Sequence, residues 1–121
     1  MAKILIVDDA SFMRGSLKYI AENGSHEVVG MAKDGKEALE MYKKLKPELV
    51  TMDILMKDTD GITALKDIRK FDPAAKVIMV SALGHVEKQK EAQDNGAVGF
   101  IKKPFKQDEV LKEFERVVGK K

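Results

Sequence analysis

Five residues able to do chemistry stand where the apolar runs of this chain stop. Asp8 and Asp9 end the run KILIV, Asp53 ends LVTM, Ser81 follows KVIMV, and Lys103 comes just after VGFI. Asp is poor in strands and common at helix N-caps, so one acid at such a point reads as punctuation. Two in a row need a further reason. Two carboxylates roughly 4 Å apart repel by about 4 kcal/mol at an effective dielectric near 20, so a close pair calls for a cation or a proton. The chain has no Cys and only 2 His, and oxygen ligands alone favour a hard ion. Mg²⁺ commonly takes one or two carboxylates while keeping waters and room for a phosphate. On this reading one Asp of the pair holds the metal directly and its neighbour helps through water.

A carboxylate beside a bound cation can attack phosphorus and form an aspartyl phosphate. Asp53 suits that role, because it emerges from an apolar run with no Arg nearby in sequence to account for it. Phosphoryl transfer depends mostly on positioning and charge stabilisation, which Mg²⁺ and the Lys103 ammonium can supply. The Ser81 hydroxyl can then donate to a phosphoryl oxygen. Taken alone, Asp53 reads equally well as the start of a turn. Its placement with the other four residues at strand ends favours a site.

Only folding can gather residues so far apart in sequence. Residues 3–7, 49–52 and 76–80 read as strands buried on both faces, with shorter candidates at 27–31 and 98–101. Between them, Met13, Leu17, Ile20 and Ala21 share a helical face, as do Ala38, Tyr42 and Leu45, then Ile62, Leu65 and Ile68, and finally Val110, Phe114, Val117 and Val118. Asn23-Gly24, Asp34-Gly35, Asp60-Gly61 and Asn95-Gly96 punctuate these segments, and Pro47 and Pro73 stop the helices before them. Five rounds of strand and helix imply an α/β fold, a doubly wound parallel sheet with helices on both faces. Such sheets bind ligands beyond the carboxyl ends of their strands, where all five residues fall. The segment 85–95 (HVEKQKEAQDN) is the weakest helix, with Val86 and Ala92 as its clear apolar anchors, so it is expected to move easily.

At 121 residues the chain is expected to form one domain over 1–121. Its 22 basic and 20 acidic residues leave a formal charge of +2, which gives no general reason to expect nucleic-acid or membrane binding. Only the end, Gly119-Lys120-Lys121, is locally basic, and it reads as a solubilising tail. MAKILIVDD is neither a secretory signal nor a membrane span. Absence of Cys fits a reducing compartment, and a cytoplasmic monomer is the expectation.

IVDDASFMR, MDI-LMKDTDG, VSALG and KKPF, in that order and spacing across nearly the whole chain, resemble the receiver domain of two-component response regulators. The stand-alone chemotaxis type is the most similar. The resemblance implies a flavodoxin-like three-layer sandwich with sheet order 2-1-3-4-5 and five helices. It implies that Asp53 accepts phosphate from a histidine kinase, and that Asp8, Asp9, Asp53 and the Leu55 carbonyl bind Mg²⁺. Ser81 and Lys103 then contact the phosphoryl group, Lys103-Pro104 is cis, and Ser81 and Phe100 move on activation. The output is binding to a protein target such as a flagellar motor switch, with a phosphatase to reset it. Phosphorelay intermediates and excised receivers share the same features. Lys57 stands where the family usually has proline, which predicts a looser loop with an extra cation, and Phe100 stands where Tyr is common. Leu55 and Leu83 flank the expected phosphate with apolar groups that cannot orient an attacking water, so slow self-dephosphorylation is expected.

Three other readings compete. A metal-dependent aspartyl-phosphate phosphohydrolase needs an acid two residues after its nucleophile, and that position is Leu55. A flavodoxin-like cofactor binder wants a Gly-, Ser- or Thr-rich phosphate loop after the first strand, where this chain has two acids. The last is a receiver-like fold with no surviving chemistry.

Overall fold

The computed structural model describes residues 2–82 and 86–119. Strands and helices alternate without exception: β1 (Lys3–Val7), α1 (Ser11–Asn23), β2 (Glu27–Ala32), α2 (Gly35–Leu45), β3 (Leu49–Asp53), α3 (Gly61–Phe71), β4 (Val77–Ala82), α4 (Val86–Asp94), β5 (Gly99–Lys103) and α5 (Gln107–Val118). All neighbouring strands pair in parallel, in the order β2-β1-β3-β4-β5. The alternation, the strand order and the five helices agree with expectation. Leu83, the start of the fourth helical segment at His85, and the Lys120-Lys121 tail fall outside the described residues.

Alternation along each strand sends side chains to two cores. Leu5, Val7, Val50, Met52, Val77 and Met79 pack with Tyr42 of α2, Leu65 and Ile68 of α3 and Ala92 of α4. Ile4, Ile6, Leu49, Ile78 and Val80 pack on the opposite face with Leu17 and Ile20 of α1 and Val110 and Phe114 of α5. The chain therefore leaves β1 outward to β2 and returns on the other side of β1 to β3. Crossovers diverge between β1 and β3, and the carboxyl ends of those strands open a crevice.

Turn chemistry sets the frame of that crevice. Asp34 caps α2 by accepting from the Glu37 amide at 2.8 Å, and Asp60 caps α3 by accepting from the Ile62 amide at 2.9 Å. Gly61 brings the start of α3 against the end of β3, where a Cβ would collide with the Asp53 carbonyl oxygen. Lys46 ends α2 in the left-handed region, directly before Pro47.

Two sequence expectations need correction. Val86 does not anchor α4: its side chain is 71% exposed, while Ala92 is fully buried. Val86 sits in the first turn of a short helix whose inward face meets the sheet only further along, so its apolar character did not report burial. Strands β3, β4 and β5 also run one or two residues further than their apolar runs, so that Asp53 and Ser81 are strand residues paired in the sheet. Backbone pairing continues past the point where side-chain hydropathy stops.

Thr51, on β3, is fully buried, and its hydroxyl has no hydrogen-bond partner among the described residues. Replacing Thr51 with Val keeps the branched shape and removes an unpaired buried oxygen, so it should stabilise the fold by about 1 kcal/mol in urea denaturation. A loss of stability instead would show that the hydroxyl is satisfied in solution.

Candidate phosphoryl and metal site

The crevice collects the acids from the ends of β1 and β3. Asp8 is buried, and both of its carboxylate oxygens are engaged. Oδ1 accepts from the Ala10 amide at 2.9 Å and Oδ2 lies 3.4 Å from the Lys103 ammonium. Its carbonyl oxygen also accepts from Arg14 at 2.6 Å, which ties the end of β1 to α1. Asp9 is exposed, and its Oδ2 accepts from the Lys57 amide at 2.8 Å. Asp53 is 5% exposed and faces Lys103 across 3.3 Å. Carboxylate oxygens of Asp8, Asp9 and Asp53 all lie within 4.8 Å of one another.

Burial first, and the neighbouring Asp8 charge second, push the Asp53 carboxyl up to about 6, against the opposing pull of Lys103. One ammonium against three converging acids leaves negative charge in excess. The donor set is all oxygen, which suits a hard divalent cation, so these residues fit the metal that the sequence implies.

Beside the acids, Asp53, Leu55, Ser81, Ala82 and Lys103 line a cavity of about 150 Å³. Ser81 is buried and its hydroxyl accepts from the side-chain Nε2 of Gln89, on α4, at 3.4 Å. Leu55, two residues past Asp53, is exposed and pairs with Asp60 in a single antiparallel bridge that closes the loop before α3. Lys88 of α4 reaches the same Asp60 at 3.7 Å. Two polar ties of α4 thus run to the shoulders of the cavity and a third joins Glu91 to Lys66 of α3 at 3.9 Å, while its single buried residue is Ala92. The peptide bond between Lys103 and Pro104 is cis.

Phe100 is not part of this cavity. It lies half-buried in β5 against the core on the α2, α3 and α4 face. It lines a separate groove of about 450 Å³ formed along β5 and α5 with Lys102, Phe105, Glu109 and Glu113. Glu113 accepts from the Phe100 amide at 2.9 Å and Arg116 donates to the Val98 carbonyl at 2.7 Å, so α5 covers part of the free edge of β5.

At Lys57, where a looser loop and an extra cation are expected, the backbone amide ties the loop after Asp53 to Asp9 at 2.8 Å. A residue other than proline restores a backbone donor, which the sequence pattern, read as side chains, did not reveal. Gln89 and Gly61 were likewise missed as neighbours of the site, since neither stands at a strand end. Asp60-Gly61 was visible only as turn punctuation.

Residues 4–115 match the model of the response regulator receiver domain family. The chain is 49% identical to chemotaxis protein CheY of Thermotoga maritima over 115 residues, covering 95% of this chain and 96% of that one. It is 48% identical to protein CcdB of Bacillus subtilis over 119 residues, covering 98% and 99%. Among solved structures, the complex of CheX, CheY, BeF₃ and Mg²⁺ from Borrelia burgdorferi contains a chain with 39% identity and a TM-score of 0.92, covering 98% of this chain and 90% of that one. Matched over almost its whole length by a family model and by homologous chemotaxis regulators, the chain belongs to the response regulator receiver domain family.

Proposed function

We propose that this receiver domain takes a phosphoryl group onto Asp53 from the phosphohistidine of a kinase, as a switch whose output is protein binding. The observation that carries this reading is a buried carboxylate 3.3 Å from an ammonium, with two further acids within 4.8 Å. An Asp53 carboxylate oxygen bonds to phosphorus as the phosphorus–nitrogen bond of the donor breaks, and the departing imidazole takes up a proton. Lys103 meets the negative charge on the transferred group, and the Ser81 hydroxyl donates to one of its oxygens. Asp9, Asp53 and the Leu55 carbonyl would hold Mg²⁺ directly, with Asp8 acting through water, because both Asp8 oxygens already face protein donors. When bound, Mg²⁺ supplies charge neutralisation for the acids and for the phosphoryl oxygens.

Signal leaves through α4 and β5. As Ser81 turns toward the phosphoryl group it parts from Gln89, and α4, which buries only Ala92, loses one of its few ties. The groove along β5 and α5 is the surface a target reads. Its lining of Phe100, Phe105, Lys102 and Glu109 suits a partner with apolar anchors and mixed charge. The reading includes a cytoplasmic monomer, a kinase donor and a phosphatase; none of the described helices is long and apolar enough to cross a membrane. The Borrelia neighbour, a CheY bound to CheX, BeF₃ and Mg²⁺, supports both the metal and a second protein partner. Exposed Leu55 in place of an acid argues against phosphohydrolase turnover.

Removal of the metal tests the reading. With Mg²⁺ and beryllofluoride, amide resonances of Ser81, Gln89 and Phe100 should shift together at one equivalent bound. The same addition with excess EDTA should leave them in place. A response that survives chelation, or shifts confined to exposed lysines, would defeat the proposal.

A further inference from the structure

Of the three acids, Asp9 is the one the fold leaves loose. Asp8 is buried and held by the Ala10 amide and Lys103. Asp53 belongs to a paired strand and faces Lys103. Asp9 is exposed, and among the described residues the Lys57 amide, at 2.8 Å, is the donor recorded for its carboxylate. Three carboxylates within 4.8 Å repel one another, so without a tether Asp9 would swing toward water.

We infer that the Lys57 backbone amide is a positioning group for the metal, holding the Asp9 carboxylate over the site before the cation arrives. This rests on the reading that the acids bind Mg²⁺. The bond does more than fix one rotamer. Asp9 follows β1, whereas Lys57 lies in the loop that follows β3 and carries Leu55, and the two residues are 48 apart in sequence. The tie therefore sets the spacing between the two halves of the ligand set. An amide donor to a carboxylate is charge-assisted and short, and the same oxygen keeps a lone pair for a cation or its water. Donors that orient metal ligands in this way usually matter for affinity.

The role belongs to the backbone N–H and not to the ammonium, which allows a clean separation. Lys57→Pro removes both the amide donor and the charge, and Lys57→Ala removes the charge alone. Mg²⁺ titration followed by amide chemical shifts, with no phosphodonor present, should show about tenfold weaker binding in Lys57→Pro. Lys57→Ala should stay within about twofold of wild type at physiological salt, where an exposed charge is largely screened. Equal affinity in the two variants would overturn the inference. So would tighter binding in Lys57→Pro, which would make the amide a competitor of the metal. Should Lys57→Pro lose the native spectrum, hydrogen exchange decides instead. In metal-free wild type the Lys57 amide should exchange more slowly than that of Asp58, and Asp9→Ala should erase the difference. Unprotected exchange in wild type would overturn the tether. If wild type shows no Mg²⁺ affinity that Asp53→Asn weakens, both the tether and the proposed function fall. If only the two Lys57 variants agree, the function stands and the tether falls.

Discussion

Asp53→Asn should abolish acyl-phosphate formation and yet make the metal-free protein more stable by about 2 kcal/mol near pH 8. The loss of function follows from removing the carboxylate oxygen that bonds to phosphorus; an amide is far too poor a nucleophile to replace it. The gain follows from the environment of Asp53. Burial and the Asp8 charge hold its carboxyl near 6, whereas in the unfolded chain it titrates at about 3.9. Between these values the native state binds more protons than the unfolded state, so its stability falls as the pH rises through that window. Above about pH 6 the whole deficit is present, and below about pH 4 it is absent. Asn carries no charge to desolvate or repel, so the advantage of the variant should grow from near zero at pH 4 to its full size by pH 7. Urea denaturation at several pH values checks this, with incubation in acetyl phosphate and intact-mass measurement for the modification. Mg²⁺ should narrow the gap by stabilising wild type more than the variant. A difference in stability that does not vary with pH would refute the electrostatic account, and a phosphorylated variant would refute the assignment of Asp53.

Leu55→Asn should shorten the life of the phosphorylated protein by about tenfold or more, within the range that a single proton-handling or water-orienting group contributes. Leu55 is 57% exposed and lines the cavity beside Asp53, Ser81 and Lys103. An apolar side chain there offers no hydrogen bond to a water approaching phosphorus in line. An amide oxygen at the same place can accept from that water and hold it at attack distance. Release of inorganic phosphate from purified phosphoprotein, with Mg²⁺ held constant, measures the rate. Unchanged decay would mean that water is oriented by another group or that the leaving step limits. Leu83 lies outside the described residues, so the single substitution at Leu55 carries the test.

Reading apolar runs recovered the architecture because hydropathy and burial are the same physical fact in a sheet covered on both faces. KILIV, LVTM and KVIMV are buried almost throughout, and their ends were legible as sites because charged residues interrupt them. The same reasoning failed at Val86, where an apolar residue in a short helix faces water. It was blind to Gly61, whose importance lies in a backbone approach, and to Gln89, a polar residue in a polar helix until β4 lies beside it.

The residue types at the strand ends, Asp8, Asp9, Asp53, Ser81 and Lys103, and their attachment to five alternating units were determined by the amino-acid order alone. That order already implied oxygen ligands, one ammonium and a parallel sheet. The tertiary structure decided how the charges are shared. It set Lys103 against both Asp8 and Asp53, buried two acids while exposing the third, and used the amide of Lys57 to hold that third acid. Such assignments depend on distances of a few ångströms between segments remote in sequence, and on how much water the fold removes from each charge. Neither quantity is carried by a local pattern, because both arise only when the crossovers close around β1 and β3.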